Sequence, residues 1–214
     1  TAKFNRYIVT ASIVSLLGIS TSIRASYWGN SPEHGLMEER NHPNSPRAQF
    51  NAGGVYWNLA QLNENKRSHY YHLAYNHFRI SLAESDTNSD ALFALIQLSY
   101  HSDFELNPTW FKMLAYRLEH FPFQNSTVSY MQNITLCNIK NECKLEREKL
   151  YVLYNAVLNN KTLRGRNRAA MLSLAAMYAA NIQDYDFAVR RLEESTKHAG
   201  SDLNPRLNLI GLLL

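Results

Sequence analysis

Proline and glycine are scarce in this chain, six and eight among 214 residues, which excludes collagenous and low-complexity sequence. Charged residues make up only 19%, too few for a coiled coil or a disordered chain. There is no GxGxxG, no phosphate loop, no GxSxG elbow and no HExxH, so the short motifs of nucleotide binding, serine hydrolysis and zinc proteolysis are all missing. Two cysteines occur, without CxxC spacing, so no dithiol redox motif is present. No run of alternating β-branched residues persists. What remains is 45% hydrophobic residues at a mean hydropathy of -0.36, enough to bury a core and too polar for a body embedded mostly in membrane.

The net charge is +4, unevenly placed. Residues 1–107 carry 8 Lys and Arg against 9 Asp and Glu, and the remainder 14 against 9, giving -1 and +5. An electrostatic partner should therefore meet the second half. The chain starts at Thr1 and stops inside an apolar run from Leu207 to Leu214, which reads as an excerpt of a longer protein.

Seventeen residues from Tyr7 to Ile23 lack any charge. As a helix they span roughly 25 Å at about 1.5 Å each, the lower edge of a membrane crossing. Lys3 and Arg6 before the segment place its start in the cytoplasm, and Tyr27 and Trp28 suit an interface beyond it. A signal peptide and a buried amphipathic helix diluted by Ser and Thr are the competing readings. Residues 1–28 are thus expected to be a membrane helix, 29–45 a linker helix, and 46–214 a helical domain.

That domain is read from its helix starts. Ser31, Ser45, Asn107 and Asn204 each precede a Pro; such side chains cap the first free amides, and Pro at the first helical position gives up a donor that has no intrahelical partner. Apolar residues recur at helical spacing, as in Ala48, Ala52, Val55, Tyr56 and Leu59. The predicted helices pair as 46–63 with 67–84, 90–102 with 108–120, 126–138 with 144–159, and 166–181 with 184–198, with another starting at Pro205. A period of roughly 35–40 residues marks a helical solenoid, whose units bury their apolar faces against one another.

Ala52, Gly53 and Tyr56, followed by Ala74, Phe78 and Ser81, resemble the tetratricopeptide repeat. So do Leu174, Ala175, Tyr178, Ala188, Leu192 and Ser195, with Asp184, Tyr185 and Asp186 at the turn. Phe93, Ile96 and Tyr100, and Leu207, Ile210, Gly211 and Leu214, are similar to partial copies. The resemblance implies an all-α, right-handed superhelix of helical hairpins that binds protein or peptide segments on its first helices: Arg47, Phe50, Asn51, Trp57 and Asn58 in the first pair. The competing reading packs Phe50 and Trp57 on a helix at 32–41. The stretch Arg24, Trp28 and Asn41 to Ala48 also resembles the junction between the last membrane span and a periplasmic repeat region in bacterial polytopic proteins of the glycosyltransferase and O-antigen polymerase or ligase type. It implies a bacterial inner-membrane protein whose repeats face the periplasm, with glycan transfer belonging to a parent chain.

Cys137 and Cys143, six apart at a predicted turn, are placed to bond. An oxidising compartment, which the resemblance also implies, would preserve the bridge. Two buried thiols are the alternative, and no nearby His or carboxylate in the sequence completes a metal set. His69, His72 and His77 crowd one helix without a zinc spacing. Lys161, Arg164, Arg166 and Arg168 place four cations within eight residues; a solvated loop is the plain reading, and anionic lipid or acidic glycan the functional one. No aromatic interleaves them, which argues against RNA. Glu38 with Glu39, Glu146 with Glu148, and Glu193 with Glu194 read as exposed helix faces. Sequons start at Asn125, Asn133 and Asn160.

These features together predict an interaction scaffold without catalytic residues, metal or cofactor of its own. The rival readings are part of a glycosyl-transfer site and a free-standing assembly factor for pili or envelope complexes.

Overall fold

The structure, a computed structural model, describes residues 2–29, 31–143 and 145–213, leaving out the side chains of 2–8, 24, 26–29 and 31. The described residues are all-helical: α1 (Ala2–Gly29), α2 (Ser31–Asn41), α3 (Pro46–Leu62), α4 (Arg67–Ala83), α5 (Asp90–His101), α6 (Thr109–His120), α7 (Ser126–Ile139), α8 (Arg147–Asn159), α9 (Gly165–Asn181), α10 (Tyr185–His198) and α11 (Asn204–Leu213), with a short 3-10 turn at Glu64–Lys66. No strand occurs among them.

The starts follow from local chemistry. The Ser45 hydroxyl accepts from the Ala48 amide at 3.4 Å, with Pro46 opening α3. Before α6 the Asn107 carboxamide oxygen accepts from the Thr109 amide at 2.9 Å and hydroxyl at 2.8 Å. Asp184 caps α10 by accepting from the Phe187 amide at 3.4 Å. It also takes Arg147 Nη2 at 2.9 Å and the Tyr151 hydroxyl at 3.1 Å, tying the cap to α8.

The chain divides into two compact units, Thr1–His77 and Phe78–Leu214. In the first, α1 meets α2 and α2 lies along α3. Gly35 permits that approach: a Cβ there would stand 3.1 Å from Val55 Cγ2. Gln49 is buried and bridges three groups, donating Nε2 to the Pro43 carbonyl at 2.6 Å and to Glu39 Oε1 at 3.5 Å, while Oε1 pairs with His77 Nδ1 at 2.7 Å.

In the second unit the odd-numbered helices touch in series, α5 to α7, α7 to α9 and α9 to α11, while α6 packs on α8 and α10 on both α9 and α11. Leu92, Phe93, Leu95 and Ile96 of α5, Leu114 of α6, Met131 and Ile134 of α7, and Leu150 and Leu153 of α8 are buried. At roughly 1.5–3 kcal/mol for each large apolar side chain removed from water, this core outweighs any single polar contact. Of the repeat positions, Ala52, Gly53, Ala74, Phe78, Ser81, Ala175, Tyr178, Ala188, Leu192 and Ser195 are buried. Ser195 is satisfied by the Ala169 carbonyl at 2.9 Å and by Ser173 at 3.0 Å.

The membrane crossing expected at Tyr7 to Ile23 is not found: among the described residues no helix is long and apolar enough to cross a membrane. With 28 residues α1 has the length. Its Ser and Thr content lowers the hydropathy, and Thr21 must place its hydroxyl on the Leu17 carbonyl at 2.8 Å. The apolar side chains Val9, Ile13, Val14, Leu16, Leu17, Ile19 and Ile23 are nonetheless each more than half exposed. The flanking Lys3, Arg6, Arg24, Tyr27 and Trp28 lie outside the described side chains.

Candidate functional site

A groove of about 610 Å³ lies among α7, α9 and α11 of the second unit, with Leu192 of α10 at its edge, a volume in the range of ligand and side-chain pockets. Val128 and Gln132 come from α7, Ser173 and Met177 from α9, and Leu207 and Gly211 from α11. Helical spacing explains the set: positions three to four apart fall on one face. Gly211 leaves open space, since a Cβ there would meet nothing within 4 Å. None of the residues lining the groove is charged or titratable. It therefore offers no general acid, base or ionic ligand, only apolar area with the amides of Gln132 and Asn208. Ser173 is already engaged with Ser195.

The face expected on α3 is arranged differently. Asn51 donates Nδ2 to Glu38 Oε2 of α2 at 3.1 Å, so the amide assigned to a peptide backbone is used within the chain. Phe50 is half-buried, and Trp57 meets Tyr71 edge-on with centroids 6.1 Å apart. Arg47 and Asn58 are exposed. These five residues belong to α3 of the first unit and do not line the groove.

The basic cluster separates into two kinds of residue. Lys161, Arg164 and Arg166 are exposed. Arg168 is held, donating Nη1 to the Leu158 carbonyl at 2.9 Å and Nη2 to Glu194 Oε1 at 3.1 Å. Burial pushes the Glu194 carboxyl up, but the hydrogen bonds and charges of Arg168 and Arg191 outweigh it and leave the group below its usual range. A solvated loop thus accounts for three of the four cations, and Glu194 is half-buried rather than an exposed carboxylate.

His69 and His72 are exposed. His77 stacks on Tyr56 with centroids 5.2 Å apart; burial lowers its pKa, against the opposing charge of Glu39. Asn160 is buried and donates to the Leu118 and Phe121 carbonyls, each at 2.7 Å, so its sequon nitrogen has no free proton. Asn125 and Asn133 are exposed.

Cys137 and Cys143 form a disulfide with Cα atoms 5.2 Å apart. The sequence completes no metal set around the cysteines, but the fold brings a distant histidine beside them. The ligating atoms of His101, Cys137 and Cys143 all lie within 4.8 Å of one another. His101 ends α5, far away in sequence, and only the contact of α5 with α7 brings it close.

Comparison with protein-family models, with curated proteins and with solved structures finds no match for this chain.

Proposed function

We propose that this chain is a protein-interaction scaffold that receives the apolar face of a helical segment from a partner protein. The observation that carries this reading is the uncharged groove shared by α7, α9 and α11. A groove without charges favours an occupant whose contacting face is also uncharged, because a buried unpaired charge would cost several kcal/mol. Small residues at Ala170 and Gly211 let a helix approach, and Met177 adapts to its side chains. Each large apolar anchor seated there contributes roughly 1.5–3 kcal/mol before the cost of association.

The proposed architecture is a tetratricopeptide-like, right-handed superhelix, supported by the serial contacts of the odd-numbered helices and the buried small and aromatic repeat positions. The exposed apolar side chains of α1 support its association with a membrane, and the disulfide suits the periplasm of a bacterium. A role beside glycan transfer rests on the resemblance around Arg24 to Ala48 alone.

The test is selection from a displayed library of 16-residue helical peptides on the folded chain. The reading expects enrichment of uncharged apolar residues at positions i, i+3, i+4 and i+7. Met177→Glu and Gly211→Phe should each weaken the enriched peptide at least tenfold, with Lys161→Glu leaving it unchanged. Enrichment of charged peptides, of none, or of peptides indifferent to Met177→Glu would refute the groove.

A further inference from the structure

We propose that Cys137 and Cys143, once reduced by a dithiol, join His101 in binding one zinc ion. The same two sulfur atoms then serve either as a disulfide or as metal ligands. This inference is independent of the groove and of any partner protein.

Three observations carry it. The ligating atoms of His101, Cys137 and Cys143 already lie within 4.8 Å of one another, a separation close to what one ion spans with zinc–sulfur and zinc–nitrogen bonds of about 2.3 and 2.0 Å. The loop between the cysteines is closed by its backbone as well as by the bridge. The Cys137 carbonyl accepts from the Glu142 amide at 2.9 Å and the Cys143 amide at 3.2 Å, and Asn141, at φ 59°, makes the left-handed turn. Asn138 Nδ2 also donates to the Leu145 carbonyl at 2.8 Å. Reduction therefore leaves the two sulfurs close together, so the ordering cost of a metal site is largely met before the ion arrives. Finally, His101 is exposed while Cys143 is buried, so an ion would reach the site from the His101 side.

Two thiolates and one imidazole form a soft ligand set that selects zinc over magnesium or calcium. Among the described residues no other Cys, His, Asp or Glu joins the group, so water takes the fourth, open position. The chemistry balances. The dithiol gives two electrons and two protons to the Cys137–Cys143 bond and becomes a disulfide. Zinc then displaces both thiol protons to solvent, while His101 contributes a ring-nitrogen lone pair and loses no proton.

Cobalt(II) is the probe. The full chain is reduced, freed of reductant under argon and titrated with cobalt(II), then with zinc(II). The proposal expects a near-ultraviolet thiolate-to-cobalt band saturating at one ion per chain, its displacement by zinc, and no band in the oxidised protein. Cys137→Ser should weaken binding more than ~100-fold and His101→Ala at least ~10-fold, since losing a ligand exceeds the effect of losing its outer partners. His101→Cys should restore affinity and intensify the band. Absence of the band in reduced wild type, His101→Ala affinity within threefold of wild type, or loss of helical circular dichroism on reduction would each overturn the proposal.

Discussion

Replacing Asn160 with Ala should destabilise the second unit by about 3 kcal/mol, more than its position in a surface connection suggests. Asn160 is 3% exposed and uses every hydrogen-bonding valence of its side chain. It donates to the Leu118 and Phe121 carbonyls at 2.7 Å each, and its oxygen accepts from the Thr162 amide at 2.8 Å and hydroxyl at 2.7 Å. The need arises in α6. The helical acceptor position of Leu118 would be filled by residue 122, which is Pro122 and has no amide proton. Asn160 supplies that donor from the end of α8. After truncation Thr162, being exposed, exchanges its bonds for water at little cost, but the buried bond at Leu118 leaves a carbonyl unsatisfied at about 1–3 kcal/mol. The lost bond at Phe121 and the small cavity add about 1 kcal/mol more. For a chain of this size the total corresponds to a melting-temperature drop of roughly 6–12 °C. Urea unfolding followed by circular dichroism measures it, with Asn133→Ala, at an exposed sequon, as a control expected within about 0.5 kcal/mol of wild type. Asn160→Asp should be worse than Ala, because a carboxylate would face two carbonyls. A loss under about 0.5 kcal/mol for Asn160→Ala would refute the reasoning.

His77 should titrate below the ordinary histidine value of about 6.5, read from its ring-proton shifts by NMR. Since the folded pKa is the lower one, its contribution to stability is complete above the unfolded value and is lost as pH falls through the window down to the folded value. A midpoint at or above 6.5 would contradict the burial argument. Glu194→Gln should cost about 1 kcal/mol at neutral pH, discounted for the partial exposure of its pairs with Arg168 and Arg191. Because the folded carboxyl is depressed, that difference should fade as pH falls through the lowered value, and an equal gap in acid would disprove the pairing. Replacing both Cys137 and Cys143 with Ser should cost about 2 kcal/mol by chain entropy for so short a loop. A variant as stable as the oxidised wild type in urea would show that the loop hydrogen bonds alone hold the turn.

The helices were legible where local chemistry decides. Ser45, Asn107 and Asp184 mark their starts by side-chain bonds to the next turn, and the apolar period runs unbroken from Ala169 to Ala179. Tyr7 to Ile23 has the length and the lack of charge of a crossing, but its Ser and Thr content keeps α1, among the described residues, below the apolarity of a span. The site was harder, because it is tertiary. Leu207 and Gly211 are recognisable as part of a helix, yet only the packing of α11 on α9 makes them a wall opposite Met177. Asn51 carries no sign in its neighbourhood that Glu38 will claim it. The same is true of Arg168 and Glu194, and of His101 beside the cysteines: each pair is separated by more than twenty residues and meets only through helix stacking.

Methyl-selective NMR of the folded chain, titrated with the peptide enriched in display, examines the groove most directly. The account predicts that shift changes concentrate on Val128, Leu174, Met177 and Leu207 and vanish in Gly211→Phe, with α3 methyls such as Val55 unmoved. Changes centred on α3, or spread without regard to the Gly211 substitution, would contradict it.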